Sequence, residues 1–95
     1  MVNLIRDNIH ELQKICKIHH VKSMYLFGSA TNSSEFNINS DIDFLYRVSK
    51  SEIPETDYAD NYFNLLFTLE DLLKRNVDLV PEEKLNNPYL IHMCD

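Results

Sequence analysis

A single glycine, Gly28, stands in a chain of 95 residues, beside only three prolines, Pro54, Pro81 and Pro88. A glycine so isolated marks a point where the backbone cannot tolerate a side chain. It closes a short apolar run, Ser23-Met24-Tyr25-Leu26-Phe27, which reads as a strand. The stretch from Ser29 to Ser40 is rich in turn-formers and poor in apolar residues, and reads as a loop with room for one helical turn. Asp41 to Val48 then alternates and is rich in Ile, Phe, Leu, Tyr and Val, which predicts a second strand.

Helical periodicity occupies the rest. From about Leu4 to His19, the apolar positions Ile5, Ile9, Leu12 and Cys16 recur at steps of four, three and four, with polar residues between them. This predicts one amphipathic helix, with Asn3 as its cap and His19 and His20 at its end, where the dipole favours partial positive charge. Ser49 to Asp57 reads as a loop, and Tyr58 to Arg75 as a second helix with Tyr62, Leu66, Leu69 and Leu73 along one stripe. Phe63, Leu65, Phe67 and Leu72 widen that stripe beyond what a three-stranded sheet needs. Either the first and last helices flank it, or it meets a protein partner. Val77 to Val80 forms a third strand ended by Pro81, and Pro88 to Ile91 begins a last helix. Helix, strand, loop, strand, helix, strand and tail make a small α/β (α+β) domain with a mixed sheet, a single domain over residues 1–95.

Charge and composition narrow the function classes. Fifteen acids against nine Lys and Arg give a net charge of −6, which repels a polyphosphate backbone on average and disfavours general nucleic-acid binding. No apolar run is long enough to span a membrane, and residues 1–7 lack the pattern of a signal peptide, so a cytoplasmic location is expected. Cys16 and Cys94 are too few for a disulfide framework and lack metal-ligand spacing. Cys16 reads as core and Cys94 as frayed. Lys74 and Arg75 read as a cationic end to the second helix, and Tyr46 and Arg47 as cover for the sheet.

The second strand carries Asp41 and Asp43 on one face, with Cα atoms about 6.5–7 Å apart. Side by side, such charges repel and favour uptake of a proton unless a divalent cation with hard oxygen ligands resolves the conflict. Asp78 sits in another short β-rich run, and all three carboxylates converge if the two strands are neighbours. Ser29, directly after the glycine, offers a hydroxyl and an N–H to a phosphate. The two aspartates alone, or the Gly-Ser pair alone, are equally consistent with a solvated strand end and a plain turn.

Taken together, Leu26-Phe27-Gly28-Ser29, Ser40-Asp41-Ile42-Asp43-Phe44-Leu45 and Val77-Asp78-Leu79-Val80 resemble the nucleotidyltransferase domain of the DNA polymerase β superfamily. The short chain resembles its minimal members, encoded beside HEPN-domain partners in prokaryotic toxin–antitoxin pairs. The resemblance implies that Gly28 and Ser29 hold the β- and γ-phosphates of ATP. It implies that Asp41 and Asp43 bind two Mg²⁺ ions (Mn²⁺ as a substitute), and that Asp78 shares the metal on the acceptor side and helps deprotonate the attacking hydroxyl. AMP would pass to a hydroxyl of a HEPN toxin, making this chain the antitoxin. The alternative is a catalytically weak or inactive module that neutralises its partner by covering it. Two departures from the family pattern stand out. Eleven residues rather than ten separate Gly-Ser from the first Asp, and Ala30, Thr31 and Asn32 stand where an Arg and a second Gly are common. The polar loop is thereby left without an evident anchor.

Overall fold

The computed structural model describes residues 1–82 and 90–94. Helices α1 (Asn3–Asp7) and α2 (Ile9–Ile18) lead into strand β1 (Val21–Phe27) and a 3-10 turn, Gly28–Thr31. Strand β2 (Ile42–Val48), two further 3-10 turns, helix α3 (Tyr58–Leu73), β3 (Val77–Pro81) and β4 (Ile91–Cys94) follow. The sheet order is β3-β2-β1-β4, with β2 and β3 parallel and the other pairs antiparallel. The expected mixed sheet is present.

Alternation in the strands decides which face is buried. Met24 and Leu26, Ile42 and Phe44, and Val77 and Leu79 join Ile5, Leu12, Cys16, Leu65, Leu69 and Leu73 in one core, so all three helices pack on the same side of the sheet. Each large apolar side chain withdrawn there contributes about 1.5–3 kcal/mol. The other side carries Tyr25, Phe27, Asp43 and Asp78.

Four expectations need correction. The first helix is broken at Asn8, whose side-chain amide donates to the Leu4 carbonyl at 2.8 Å and so competes with the regular ladder. Asn3 lies inside α1 and is not its cap; Val2 precedes the helix, and its N–H is taken by the Ala30 carbonyl at 3.1 Å. The chain's last element is a strand, because the free edge of β1 offers a row of backbone groups that Ile91–Cys94 satisfies; Pro88 and Tyr89 lie outside the described residues. Cys94 is therefore not frayed but 9 % exposed, close enough to Cys16 for a thiol hydrogen bond that, with burial, raises the Cys16 pKa.

On α3, Leu65, Leu69 and Leu73 face the core, while Phe63 and Phe67 stack on each other at 6.0 Å and remain 50 % and 59 % exposed. Flanking helices do not cover these two rings. The helix stops at Leu73 instead of Arg75 because Lys74 adopts the left-handed conformation, φ 56°, its N–H closing on the Glu70 carbonyl at 2.9 Å. A side chain there is strained, and the exposed Lys74–Asp71 ion pair contributes little in return. Lys74→Gly should therefore stabilise the protein by about 0.5–1 kcal/mol and raise Tm by roughly 3–6 °C. Thermal unfolding followed by circular dichroism checks this; an unchanged or lower Tm would count against strain at that turn.

Candidate active site

The end of β1 and the start of β2 build the first half of the site. Phe27 is paired with Asp43 across the antiparallel ladder, so the chain turns away immediately beside that aspartate. Gly28 makes the turn with φ 74°, and a Cβ built on it would collide with the Asp43 carboxylate, lying only 3.3 Å from its Cγ. Both properties require glycine. The Thr31 hydroxyl donates to the Gly28 carbonyl at 2.7 Å, and the Asn32 N–H to the Ser29 carbonyl at 3.1 Å, closing the turn that displays half-buried Ser29.

The second half comes from the parallel pairing of β2 with β3, in which Asp43 stands opposite Asp78. Partners in such a ladder project to the same face on strands about 4.8 Å apart. Asp41, expected as the first residue of the second strand, instead precedes β2 by one residue and is exposed, as is Asp78, whereas Asp43 is half-buried. Burial, then the charge of Asp78, then that of Asp41 push the Asp43 pKa above its ordinary value. All five residues singled out by motif, Gly28, Ser29, Asp41, Asp43 and Asp78, thus gather at one end of the sheet.

Three neighbouring carboxylates form a hard-oxygen donor set of the kind that divalent cations bind. By charge and donor chemistry the residues fit such an ion. Among the described residues, no three His, Cys, Asp or Glu side chains stand close enough together to hold a metal ion as they are placed here. The acids are gathered but not clamped.

The loop between the halves does have an anchor, which sequence reasoning overlooked. Arg75 donates through Nη1 to the carbonyls of Asn37 (2.8 Å), Ile38 (3.3 Å) and Ser40 (2.7 Å), and its guanidinium lies 4.4 Å from the centre of the Phe36 ring. Read along the sequence, Arg75 was one more helix-end cation; only the early stop of α3 at Leu73 turns it toward the loop. No local pattern signals that partnership across more than thirty residues.

Comparison with known proteins agrees with the geometry. The family model for Polymerase beta, Nucleotidyltransferase matches residues 10–94. Two proteins of Methanocaldococcus jannaschii, each named "Putative protein adenylyltransferase", are similar to this chain. One (MJ1379) is 31 % identical over 87 residues, covering 90 % of this chain and 83 % of the relative. The other (MJ0128) is 36 % identical over 90 residues, covering 94 % and 86 %. A solved structure described as a "putative minimal nucleotidyltransferase" superposes with a TM-score of 0.68 at 26 % identity, over 90 % of this chain and 83 % of its own. A toxin–antitoxin crystal structure with AMP-PNP shares the fold, with a TM-score of 0.61 at 23 % identity, over 83 % of this chain and 60 % of that one. The chain belongs to the polymerase beta nucleotidyltransferase family. Within that family it is a nucleotidyltransferase of the minimal kind.

The raised Asp43 pKa fixes the sign of a pH effect. Its carboxyl holds a proton more readily in the folded than in the unfolded chain. Its stabilising contribution is therefore complete below the unfolded value and is lost as pH rises through the folded one. Asp43→Asn, which cannot ionise, should raise the metal-free Tm at about pH 7.5, with the gain fading toward about pH 3. A Tm gain that is equal at both pH values would refute the electrostatic origin. Gly28→Ala should act oppositely, since a left-handed Ala costs about 1–2 kcal/mol and its methyl displaces the Asp43 carboxylate. A Tm lower by several degrees checks it.

Proposed function

We propose that this chain is a divalent-metal-dependent protein adenylyltransferase that moves AMP from ATP onto a hydroxyl of a partner protein. The names of its relatives support the adenylyl specificity. The structural neighbour, a toxin–antitoxin assembly with AMP-PNP, supports a nucleotide donor and a toxin as the kind of partner. On this reading the partner is a HEPN-domain toxin, and the chain acts in the cytoplasm as its antitoxin. No helix among the described residues is long and apolar enough to cross a membrane.

The observation that carries the proposal is the contact between the Gly28 turn and Asp43, with Asp78 on the far side of the same carboxylate. In the proposed roles, the N–H groups of the turn and the Ser29 hydroxyl donate to oxygens of the β- and γ-phosphates, the pyrophosphate that will leave. Asp41 and Asp43 would hold two Mg²⁺ ions, with Asp78 sharing one, and these supply charge neutralisation at the phosphates. Asp78 accepts the proton of the attacking hydroxyl at a carboxylate oxygen. The hydroxyl oxygen then bonds to the α-phosphorus as the bond to the bridging oxygen breaks, and pyrophosphate leaves with that electron pair.

Incubation of a HEPN-domain partner with this chain, ATP and Mg²⁺, followed by intact-mass analysis, tests the proposal. Addition of one AMP is expected, and Asp41→Asn or Asp43→Asn should reduce its rate by roughly two orders of magnitude or more without lowering the metal-free Tm. Transfer at the wild-type rate by either variant would refute the assignment. An unmodified partner that is nonetheless bound and silenced would favour a module acting by coverage alone.

A further inference from the structure

Arg75, on the connector between α3 and β3, reaches into the loop that precedes the acids. The connector and the last turns of α3 together hold both acid-bearing segments. The Asn76 carbonyl accepts the N–H of Ile42, the residue after Asp41, at 3.0 Å. The Glu70 carboxylate accepts the N–H of Val77, the residue before Asp78, at 3.0 Å. Ile42 and Val77 are already secured by burial in the core. The segment on the other side of Asp41 is not: Asn37, Ile38 and Asn39 are exposed, Ile38 by 85 %. Within the segment, the short-range bonds of Asn37 to Ser40 and Asn39 shape the turn but attach it to nothing else. Its attachment to the body of the protein runs through the guanidinium and the Phe36 ring beneath it.

We propose that Arg75 is a positioning residue for the transfer reaction: by gathering the carbonyls of Asn37, Ile38 and Ser40 it fixes the backbone that presents Asp41 beside Asp43. A guanidinium is suited to this because it is always charged, directs its N–H groups in a plane and stacks on an aromatic face. A lysine in its place keeps the charge but neither the plane nor the stacking. The two contributions, charge near the acids and geometry of the loop, can therefore be separated. The inference rests on the metal-binding role proposed for Asp41.

The test uses the full chain with Arg75→Lys and Arg75→Ala, each checked for folding by thermal unfolding. Mn²⁺ binding in the presence of AMP-PNP is titrated by electron paramagnetic resonance, and amide exchange is followed at Ser40 and Ile42. Outer residues that orient metal ligands typically change affinity 10–100-fold when lost. Both variants should weaken Mn²⁺ binding by about that factor and speed exchange at Ser40, while Ile42, buried in the core, stays protected. If Arg75→Ala does not fold, Arg75→Lys decides alone. Wild-type Mn²⁺ affinity in Arg75→Lys would overturn the proposal, since charge alone would then suffice. Unchanged exchange at Ser40 would overturn it as well. If the wild-type chain itself binds no Mn²⁺, the metal-site reading fails instead, and faster exchange at Ser40 in the variants would still establish the clamp.

Discussion

The parallel pairing of β2 with β3 is the constraint on which the site depends. It sets Asp43 against Asp78, two like charges on neighbouring strands, on the face of the sheet opposite the helices. Nothing in that contact favours folding; burial first, and then the charge of Asp78, raise the Asp43 pKa. What holds the strands together lies on the reverse face, where Ile42, Phe44, Val77 and Leu79 of the same two strands are nearly or fully buried against α3. The period of two in a strand lets each short segment bury alternate residues, Ile42 and Phe44 or Val77 and Leu79, and carry an acid between them on the other face. The core beneath thus offsets the electrostatic strain above it.

The same economy governs the turn after α3. A helix that ended one residue later would rotate Arg75 away from the loop and shift Asn76 and Val77 relative to β2. The left-handed Lys74 therefore does more than end a helix: it sets where the loop anchor and the third acid emerge. A glycine would adopt that backbone with less strain, so the lysine carries a conformational cost that its exposed partner Asp71 does not repay. Gly28 poses the reverse case, since there the conformation and the neighbouring carboxylate together leave no alternative.

Residues 42–48 and 77–80 are legible as strands because alternation and β-branched content are local properties, whereas the order of the strands, and so the pairing of β2 with β3, is not decided by the sequence. The convergence of Gly28, Ser29, Asp41, Asp43 and Asp78 could be anticipated because a family motif links them. Other features are not carried by apolar periodicity. Asn8 breaks a helix whose apolar spacing runs straight through it, because a side-chain amide competes with the backbone locally. Ile91–Cys94 forms a strand because β1 has an edge to fill, a fact about residues some seventy positions earlier. Arg75 has no local signature at all; its partners are defined by where the preceding helix stops. On α3, periodicity correctly detected an excess of apolar residues, and the structure leaves Phe63 and Phe67 as that excess.

The order of the strands also gives the proposed reaction a direction. Across the sheet, the Gly28 turn at the end of β1 lies on one side of Asp43, and Asp78 on β3 lies on the other. Adjacent strands are about 4.8 Å apart, so the turn and the outer acid are separated by roughly 10 Å, with Asp43 between them. Displacement at phosphorus requires the entering and leaving oxygens to be roughly in line on opposite sides of the reacting atom. If the turn holds the pyrophosphate, the acceptor hydroxyl must approach from the β3 side, where exposed Asp78 can take its proton. The burial pattern is compatible with the same axis, since Asp43 in the middle is half-buried and Asp78 at its β3 end is exposed. Exchanging β1 and β3 in the sheet would keep every motif intact and reverse that polarity, so on the proposed reading the donor and acceptor sides follow from the topology rather than from the list of acids.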